Sequence, residues 1–372
     1  MAEPGVTAGQ WWSNKGELTT VPLHHVRAMA VTLLEKSGAA AADAAFIADV
    51  HLAKALQGDH ERGVAMLSAQ IRAAQRGDLD LKPDIRVTRE MGATAMVDGG
   101  PQASAKLVCR HAMDLAIRKA REHGIGWVST RAAGEILTPF IEQAVSAGMV
   151  TMIMAQSIPT VAPLGGLAPI LGNAPVGWGI PAGAHAPVIV DMSLTQTSAK
   201  GVALAAAQGE EIPAGFVLDK RGEPTTDPDD FLDPGWRAGG KQVAQGSLVP
   251  IGGSHKSYAM IFVVGLLTAV LADADFAWDL GNDSAEPGRF GTLFLVLDPK
   301  AFGDADRICA RVDEYISHLR NSPRKDGVAD ILYPGERSQA LKQVRRAADR
   351  LTLPAAHYHE LAALSADQHR PA

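Results

Sequence analysis

Between residues 85 and 300 short apolar runs of strand length alternate with helical stretches, and further helical stretches flank that block on both sides. A chain with this rhythm folds as a layered α/β or α+β protein, because each sheet face and each helix stripe must bury against a partner. The pattern predicts strands over 85–88, 93–97, 126–130, 149–154, 188–190 and 292–297. It predicts helices over 22–37, 40–56, 63–76, 103–123, 139–147, 198–208, 258–272, 304–319 and 338–349. Pro22 suits a first helical turn, and Gly38, Gly58, Gly77 and Gly124 stand where helices stop. Residues 172–183 are rich in Gly and Pro and read as a loop, and 218–230 carry polar turn chemistry.

Composition bounds what this fold can serve. With 372 residues, 47% of them hydrophobic, the chain can bury a sizeable core. Its 35 basic and 41 acidic residues give a net charge of −6, which is no footprint for nucleic acid. The longest apolar run, 258–272, is too short to span a bilayer and reads as a buried helix. The N-terminus has neither the basic region nor the apolar run of a signal peptide. Cys109 and Cys309 lie in periodic apolar stretches and are expected as buried thiols. Together these point to a reduced cytoplasm. Glycine is plentiful, at 37 residues with pairs at Gly99-Gly100, Gly165-Gly166, Gly239-Gly240 and Gly252-Gly253. Such pairs mark either loose loops or places where backbone passes close to something bulky and charged.

Three clusters can carry chemistry. Asp59-His60-Glu61-Arg62-Gly63 lies between two helices, with His51 two turns upstream. It reads as an acid/base group or as a solvated turn with Asp59 as helix cap. Gly252-Gly253-Ser254-His255-Lys256-Ser257 precedes a helix and can cradle an anion or simply cap it. Asp191-Met192-Ser193-Leu194-Thr195 ends a strand; Asp191 can meet a ribose, orient a catalytic group or cap the next helix. There is no G-x-G-x-x-G after a strand, no Walker A loop, no C-x-x-C pair and no H-E-x-x-H, so no zinc or other metal is expected.

Read in order, several segments resemble the malate/L-lactate dehydrogenase family of NAD(P)H enzymes, which is distinct from the Rossmann-type lactate dehydrogenases. Arg62-Gly63-Val64 with Leu67 is similar to the family's S-H-G-V-x-R-L. Val97-Asp98-Gly99 resembles its V-D-G turn, and Val161 through Gly166 its V-A-P-x-G-G. Asp219, Gly222 and Pro224-Thr225-Thr226-Asp227-Pro228 match its D-x-x-G-x-P-T-T-D-P. Pro250 to Gly253 with Lys256 and Tyr258 resembles P-L-G-G-x-K-G-Y, and Pro334-Gly335-Glu336 its P-G-E. The likeness runs from about residue 25 to 345.

The resemblance implies a non-Rossmann NAD(P)-binding fold with a large, mostly antiparallel sheet. It implies a helical domain over 1–80 completed by 320–372, and a sheet-containing cofactor and substrate region over 81–319. It also implies NADPH or NADH as cofactor, a small-molecule substrate and a homodimer; no membrane partner is expected, because the longest apolar run is too short to span a bilayer. Gly134, Glu135, Asp191, Met192, Ser193, Gly253 and Lys256 fall where the family holds its cofactor. Met66, Asn173 and His255 fall on the substrate side.

The departures from the family carry as much information. Its Ser-His acid/base pair falls on Glu61-Arg62, its substrate-carboxylate Arg on Met66, and its N-H-F-G segment on Ala132 to Glu135. Arg62 holds its proton too tightly to donate it, although it can stabilise an oxyanion. His60, Glu61 and Arg62 are therefore the expected catalytic group of an oxidoreductase acting on an atypical C=O or C=N substrate. A non-redox or non-catalytic descendant that keeps the dinucleotide scaffold is the other reading.

Overall fold

The computed structural model describes residues 16–237, 244–280 and 289–367. The expected loose loop at Gly239-Gly240 and the stretch before residue 16 lie outside the described residues. The described residues begin with β1 (Leu18–Pro22), α1 (Leu23–Lys36), α2 (Ala41–Leu56), a π-helical turn (Glu61–Ala65) and α3 (Met66–Arg76). Next come β2 (Arg86–Met91), β3 (Thr94–Asp98), α4 (Ala105–His123), β4 (Ile125–Thr130), α5 (Thr138–Ser146) and β5 (Val150–Ala155). Then follow β6 (Val176–Ile180), β7 (Val188–Met192), α6 (Ala199–Gln208), β8 (Val217–Leu218), β9 (Pro224–Thr225) and the short α7 (Pro234–Arg237). β10 (Ser247–Leu248), α8 (His255–Val270), the short α9 (Ala277–Leu280) and β11 (Thr292–Leu297) complete the middle. α10 (Ala305–Arg320), α11 (Glu336–Ala347), β12 (Arg350–Pro354) and α12 (Ala355–Asp367) close the chain.

The fold is mixed α/β around a seven-stranded sheet ordered β2-β3-β4-β11-β5-β6-β7. The β3–β4 pair is parallel and the other neighbours are antiparallel, so the sheet is mostly antiparallel. α4 and α5 cover one face, where Val108, Ala112, Phe140 and Ile141 bury against Val128, Ile153 and Phe294. α6 and α8 stand over the other, where Val202, Ile261 and Val264 join Met154, Val176 and Leu293. A third core joins α1, α2 and α3 to β12 and α12 through Val26, Leu33, Ile47, Leu67, Leu351 and Leu361. The two ends of the chain thus share one cluster, and β1 pairs antiparallel with β12.

Three local expectations change. Pro22 caps α1 instead of entering it, because residues 18–22 are held as a strand by 350–354, a partner that no local pattern reveals. Residues 176–180 of the expected loop form β6, inside the sheet between β5 and β7. Its glycines answer to packing: a Cβ on Gly179 would stand 2.5 Å from Ile141 Cγ2, so α5 lies directly on the strand. The apolar helix at 258–272 starts at His255 and is buried on one side only. Ile261, Val264 and Thr268 face inward, while Met260, Phe262, Val263, Leu266 and Val270 are exposed. Cys109 is buried as expected, whereas Cys309 is only half-buried; both are free thiols. No helix among the described residues is long and apolar enough to cross a membrane.

Candidate active site

The site grows from the end of α2. Its face of Ala44, Ile47, Ala48 and Ala55 goes into the core, but one lysine interrupts the apolar run. Lys54 Nζ lies 2.9 Å from Asp191 Oδ2 at the end of β7, and both side chains are largely buried. The same oxygen accepts from the Thr138 backbone N–H at 3.0 Å and from the Thr138 hydroxyl. Burial alone would raise the Asp191 carboxyl, but Lys54 and Thr138 outweigh it and hold it below the usual carboxylate range. One ion pair therefore ties α2, β7 and the start of α5 together.

The chain then turns through the π-helical segment. Gly63 leaves helical geometry at φ −83° and ψ −120°, and a Cβ there would meet Ala55 Cβ at 2.8 Å. The turn fixes Arg62 on Asp59: Arg62 N–H donates to Asp59 Oδ1 at 3.1 Å and Nη1 to Oδ2 at 3.0 Å. Burial works against the Arg62 charge, yet Asp59 leads the carboxylates that raise its pKa further, so it stays a guanidinium. Behind it, fully buried His51 places Nδ1 2.7 Å from the Arg62 carbonyl oxygen and Nε2 3.1 Å from Gln70 Oε1. Burial, reinforced by Lys106, lowers the His51 pKa to about 4. The imidazole is therefore neutral at neutral pH and holds the Arg62 backbone.

Arg62 opens into a cavity of about 130 Å³. Gly134, Glu135, Gln156, Asn173, Ser198 and Lys200 are among the residues that line it. Glu135 Oε2 lies 3.4 Å from Lys106 Nζ, whose own side chain is almost wholly buried. Lys200 foremost, and Lys106 after it, hold the Glu135 carboxyl down at about 2 against the cost of burial. Water still reaches Glu135 along the cavity, since 45% of its side chain is accessible. The Asn173 side-chain oxygen is buried without a hydrogen-bond partner, an acceptor that suits the amide group of a nicotinamide. The lining residues thus fit an anionic ligand that carries an amide donor.

The residues expected from sequence separate here. Arg62, Gly134, Glu135 and Asn173 come together around the cavity. His60 and Glu61 do not line it: Glu61 Oε1 turns to His357 Nε2 at 3.6 Å, and His60 lies within electrostatic reach of Arg345 and His357. Burial first, then those two neighbours, lower the His60 pKa to about 4. Met66 opens α3 and is absent from the lining. Asp191 is engaged by Lys54 and Thr138 instead of facing the cavity, because it closes the buried ion pair. Met192 is exposed, and Ser193 Oγ is 3.1 Å from Thr195 Oγ1. Gly253, His255 and Lys256 sit exposed at the start of α8. The Ile251 N–H donates to the Leu194 carbonyl and so brings that start against the segment that follows β7.

Sequence reasoning missed Lys54, Lys106 and Lys200. Lys54 and Lys106 had a signal, each being a lysine on the buried face of a helix. Lys200 follows the Ser198 cap, whose hydroxyl accepts from Gly201 N–H at 3.1 Å, and so stands in the first turn of α6. Among the described residues no group of three or more His, Cys, Asp or Glu could hold a metal ion.

Comparison with known proteins gives a consistent result. A family model described as malate/L-lactate dehydrogenase matches residues 21–362. L-sulfolactate dehydrogenase of Methanothermobacter thermautotrophicus is 34% identical over 313 residues, covering 82% of this chain and 85% of that protein. The Δ1-pyrroline-2-carboxylate/Δ1-piperideine-2-carboxylate reductase of Pseudomonas putida is 27% identical, covering 87% of this chain and 91% of the reductase. Among solved structures, sulfolactate dehydrogenase from Methanocaldococcus jannaschii superposes with a TM-score of 0.80 at 27% identity. That match covers 94% of this chain and 97% of the other.

Proposed function

The chain belongs to the malate/L-lactate dehydrogenase family, and from that premise we propose that it is an NAD(P)H-dependent oxidoreductase acting on an atypical C=O or C=N substrate. The observation that carries this reading is the cavity where Arg62, Glu135, Asn173 and Lys200 converge. Glu61-Arg62 stands in place of the family's Ser-His pair, and only Arg62 of the two reaches the cavity. NADH or NADPH, when bound, supplies the hydride.

The chain's own residues do the rest. Arg62, held rigid by Asp59, offers guanidinium N–H groups to a substrate carboxylate or to a developing oxyanion. Met66 has no charge to clamp a carboxylate, so Arg62 takes that task. The Asn173 oxygen receives an amide N–H, and Glu135 with its lysines fixes the cavity wall. The open left-handed backbone of Gly252-Gly253, with Lys256 and the start of α8, suits cofactor phosphates. The exposed face of α8, with Phe262, Val263, Leu266 and Val270, packs against a second copy of the chain to form a homodimer. The helical unit from both chain ends and the sheet region act as its two domains. Free thiols at Cys109 and Cys309 suit a reducing cytoplasm.

The test is direct. Purified protein is mixed with NADH and with NADPH, and cofactor fluorescence is followed. Binding of at least one, followed by oxidation with a keto acid or a cyclic imine, is the expected outcome. Binding without turnover across such a panel favours a non-redox descendant, and binding of neither sinks the reading.

A further inference from the structure

Hydride delivery to a carbonyl leaves an oxyanion that needs a proton, and the residue that supplies it in the family is replaced by Arg62. A substitute must come from the cavity wall. Arg62 keeps its proton at any working pH. Glu135, held down at about 2, has none to give at neutral pH. Gln156 is committed through Nε2 to the Asp275 carbonyl at 2.7 Å and through Oε1 to the Gly291 N–H. Ser157, Ser198 and Thr160, the last with a buried and unpartnered Oγ1, offer only alcohol protons, which are not released near neutrality as a general acid requires. Lys200 remains. It lines the cavity with Arg62 and Asn173, and among the described residues it has no hydrogen bond and no close ion pair.

Resting on the redox reading above, we propose that Lys200 is the proton donor and acceptor of the reaction. In reduction, hydride from NAD(P)H forms the new C–H bond, and the carbonyl π pair moves to oxygen. A proton passes from the Lys200 ammonium to that oxygen, and the neutral amine left behind regains a proton from solvent. Oxidation runs the same steps backward, with the Lys200 amine taking the hydroxyl proton while NAD(P)+ accepts the hydride.

The surroundings suit the task. Burial pulls the Lys200 ammonium below its usual value. Arg62 and Lys106 add to that pull, and the carboxylates of Glu135 and Asp59 oppose it. Its place in the first turn of α6 works in the same direction, because the N-terminal end of a helix disfavours a cation. A lysine lowered in this way gives up its proton more readily than an exposed one, which is the direction a general acid working near neutrality needs. Arg62, fixed on Asp59, is left free to hold the anionic end of the substrate.

The experiment compares wild type with Lys200→Arg and Lys200→Ala. The panel is malate and sulfolactate with NAD+ and NADP+, and Δ1-pyrroline-2-carboxylate with NADH and NADPH. Lys200→Arg keeps the charge but releases no proton. It is expected to lower kcat on the hydroxy-acid substrate about 100-fold or more, with cofactor binding by fluorescence unchanged within about 3-fold. Small primary amines added to Lys200→Ala should restore rate in the order of their pKa. Without any substrate, pH-dependent acetylation read by mass spectrometry should show Lys200 becoming reactive at lower pH than the exposed lysines. Retention of kcat by Lys200→Arg, or acetylation of Lys200 only with the exposed lysines, overturns the proposal. Equal loss of imine reduction and of alcohol oxidation in Lys200→Arg also overturns it, because an iminium is already protonated. Wild type that binds neither cofactor overturns the redox reading itself, which separates the two failures.

Discussion

Acidification from about pH 7 to about pH 4 should destabilise the fold through His51, and replacing that one residue should flatten the response. His51 is 0% exposed and its imidazole is held at about 4 by burial and by Lys106, against 6.5 in the open chain. The unfolded chain takes up a proton below 6.5 while the folded chain resists until about 4. The stabilisation is therefore complete above 6.5 and is lost as pH falls through that window. At about 1.4 kcal/mol per pH unit, the gap from 6.5 to about 4 corresponds to about 3 kcal/mol. Integrating the two titrations places about 2 kcal/mol of that loss above pH 5. His60 is lowered to about 4 as well and titrates in the same window. The buried carboxylates Asp59 and Asp191 are lowered, so their stabilisation is lost only further down, as pH falls through their folded values. Urea unfolding of wild type and of His51→Gln, each at about pH 7 and about pH 5, isolates the term. Glutamine can still donate to the Arg62 carbonyl but carries no proton to lose. The variant should give back about 2 kcal/mol of the acid-induced loss. An unchanged pH dependence in His51→Gln, or a wild type as stable at pH 5 as at pH 7, would refute the reasoning.

Other perturbations probe the site and the packing. Arg62→Ala should lower kcat/KM about 100-fold or more, the scale of a lost transition-state charge contact; steady-state kinetics checks it, and an unchanged rate means the turn is only a loop. Lys54→Met should destabilise by about 3–5 kcal/mol, because Asp191 is left buried without its cation; denaturant unfolding at neutral pH measures this. Gly179→Val should cost about 1–3 kcal/mol through the clash with Ile141, again read by unfolding. If α8 forms the proposed homodimer interface, Leu266→Glu on its exposed face should shift analytical ultracentrifugation from dimer to monomer without lowering the melting temperature of the monomer.

Elements whose signal is local were legible in sequence. The strand at Thr292–Leu297 and the helix ending at Gly124 follow from period and cap alone. β1 was not legible, because its only reason to be a strand is β12, more than 300 residues away. β6 hid because Gly177 and Gly179 suggest a loop, although they are there to let α5 approach the sheet. The family motifs located the turn at residues 59–63 and the end of β7, yet they could not say which way each side chain points. Glu61 and Arg62 are adjacent, but the π-helical turn sends one to His357 and the other to the cavity. Asp191 was legible as important but not as the partner of Lys54, since that pairing spans 137 positions of sequence.

The charges of the site do not balance, and the imbalance has a direction. Lys54, Arg62, Lys106 and Lys200 stand against Asp59, Glu135 and Asp191, while His51 and His60 are held neutral. Lys54 answers Asp191, Arg62 answers Asp59, and Lys106 and Lys200 share Glu135, so the four cations exceed the three carboxylates by one. A partly buried surplus cation is costly in an empty cavity and stabilising when an anion enters. Positive charge therefore lines the cavity although Met66, at the start of α3, carries none. It is carried by Arg62 of the π-helical turn and by Lys200 of α6. An anion in the cavity would lie between Arg62 and Lys200, with Asn173 and Glu135 also in the wall.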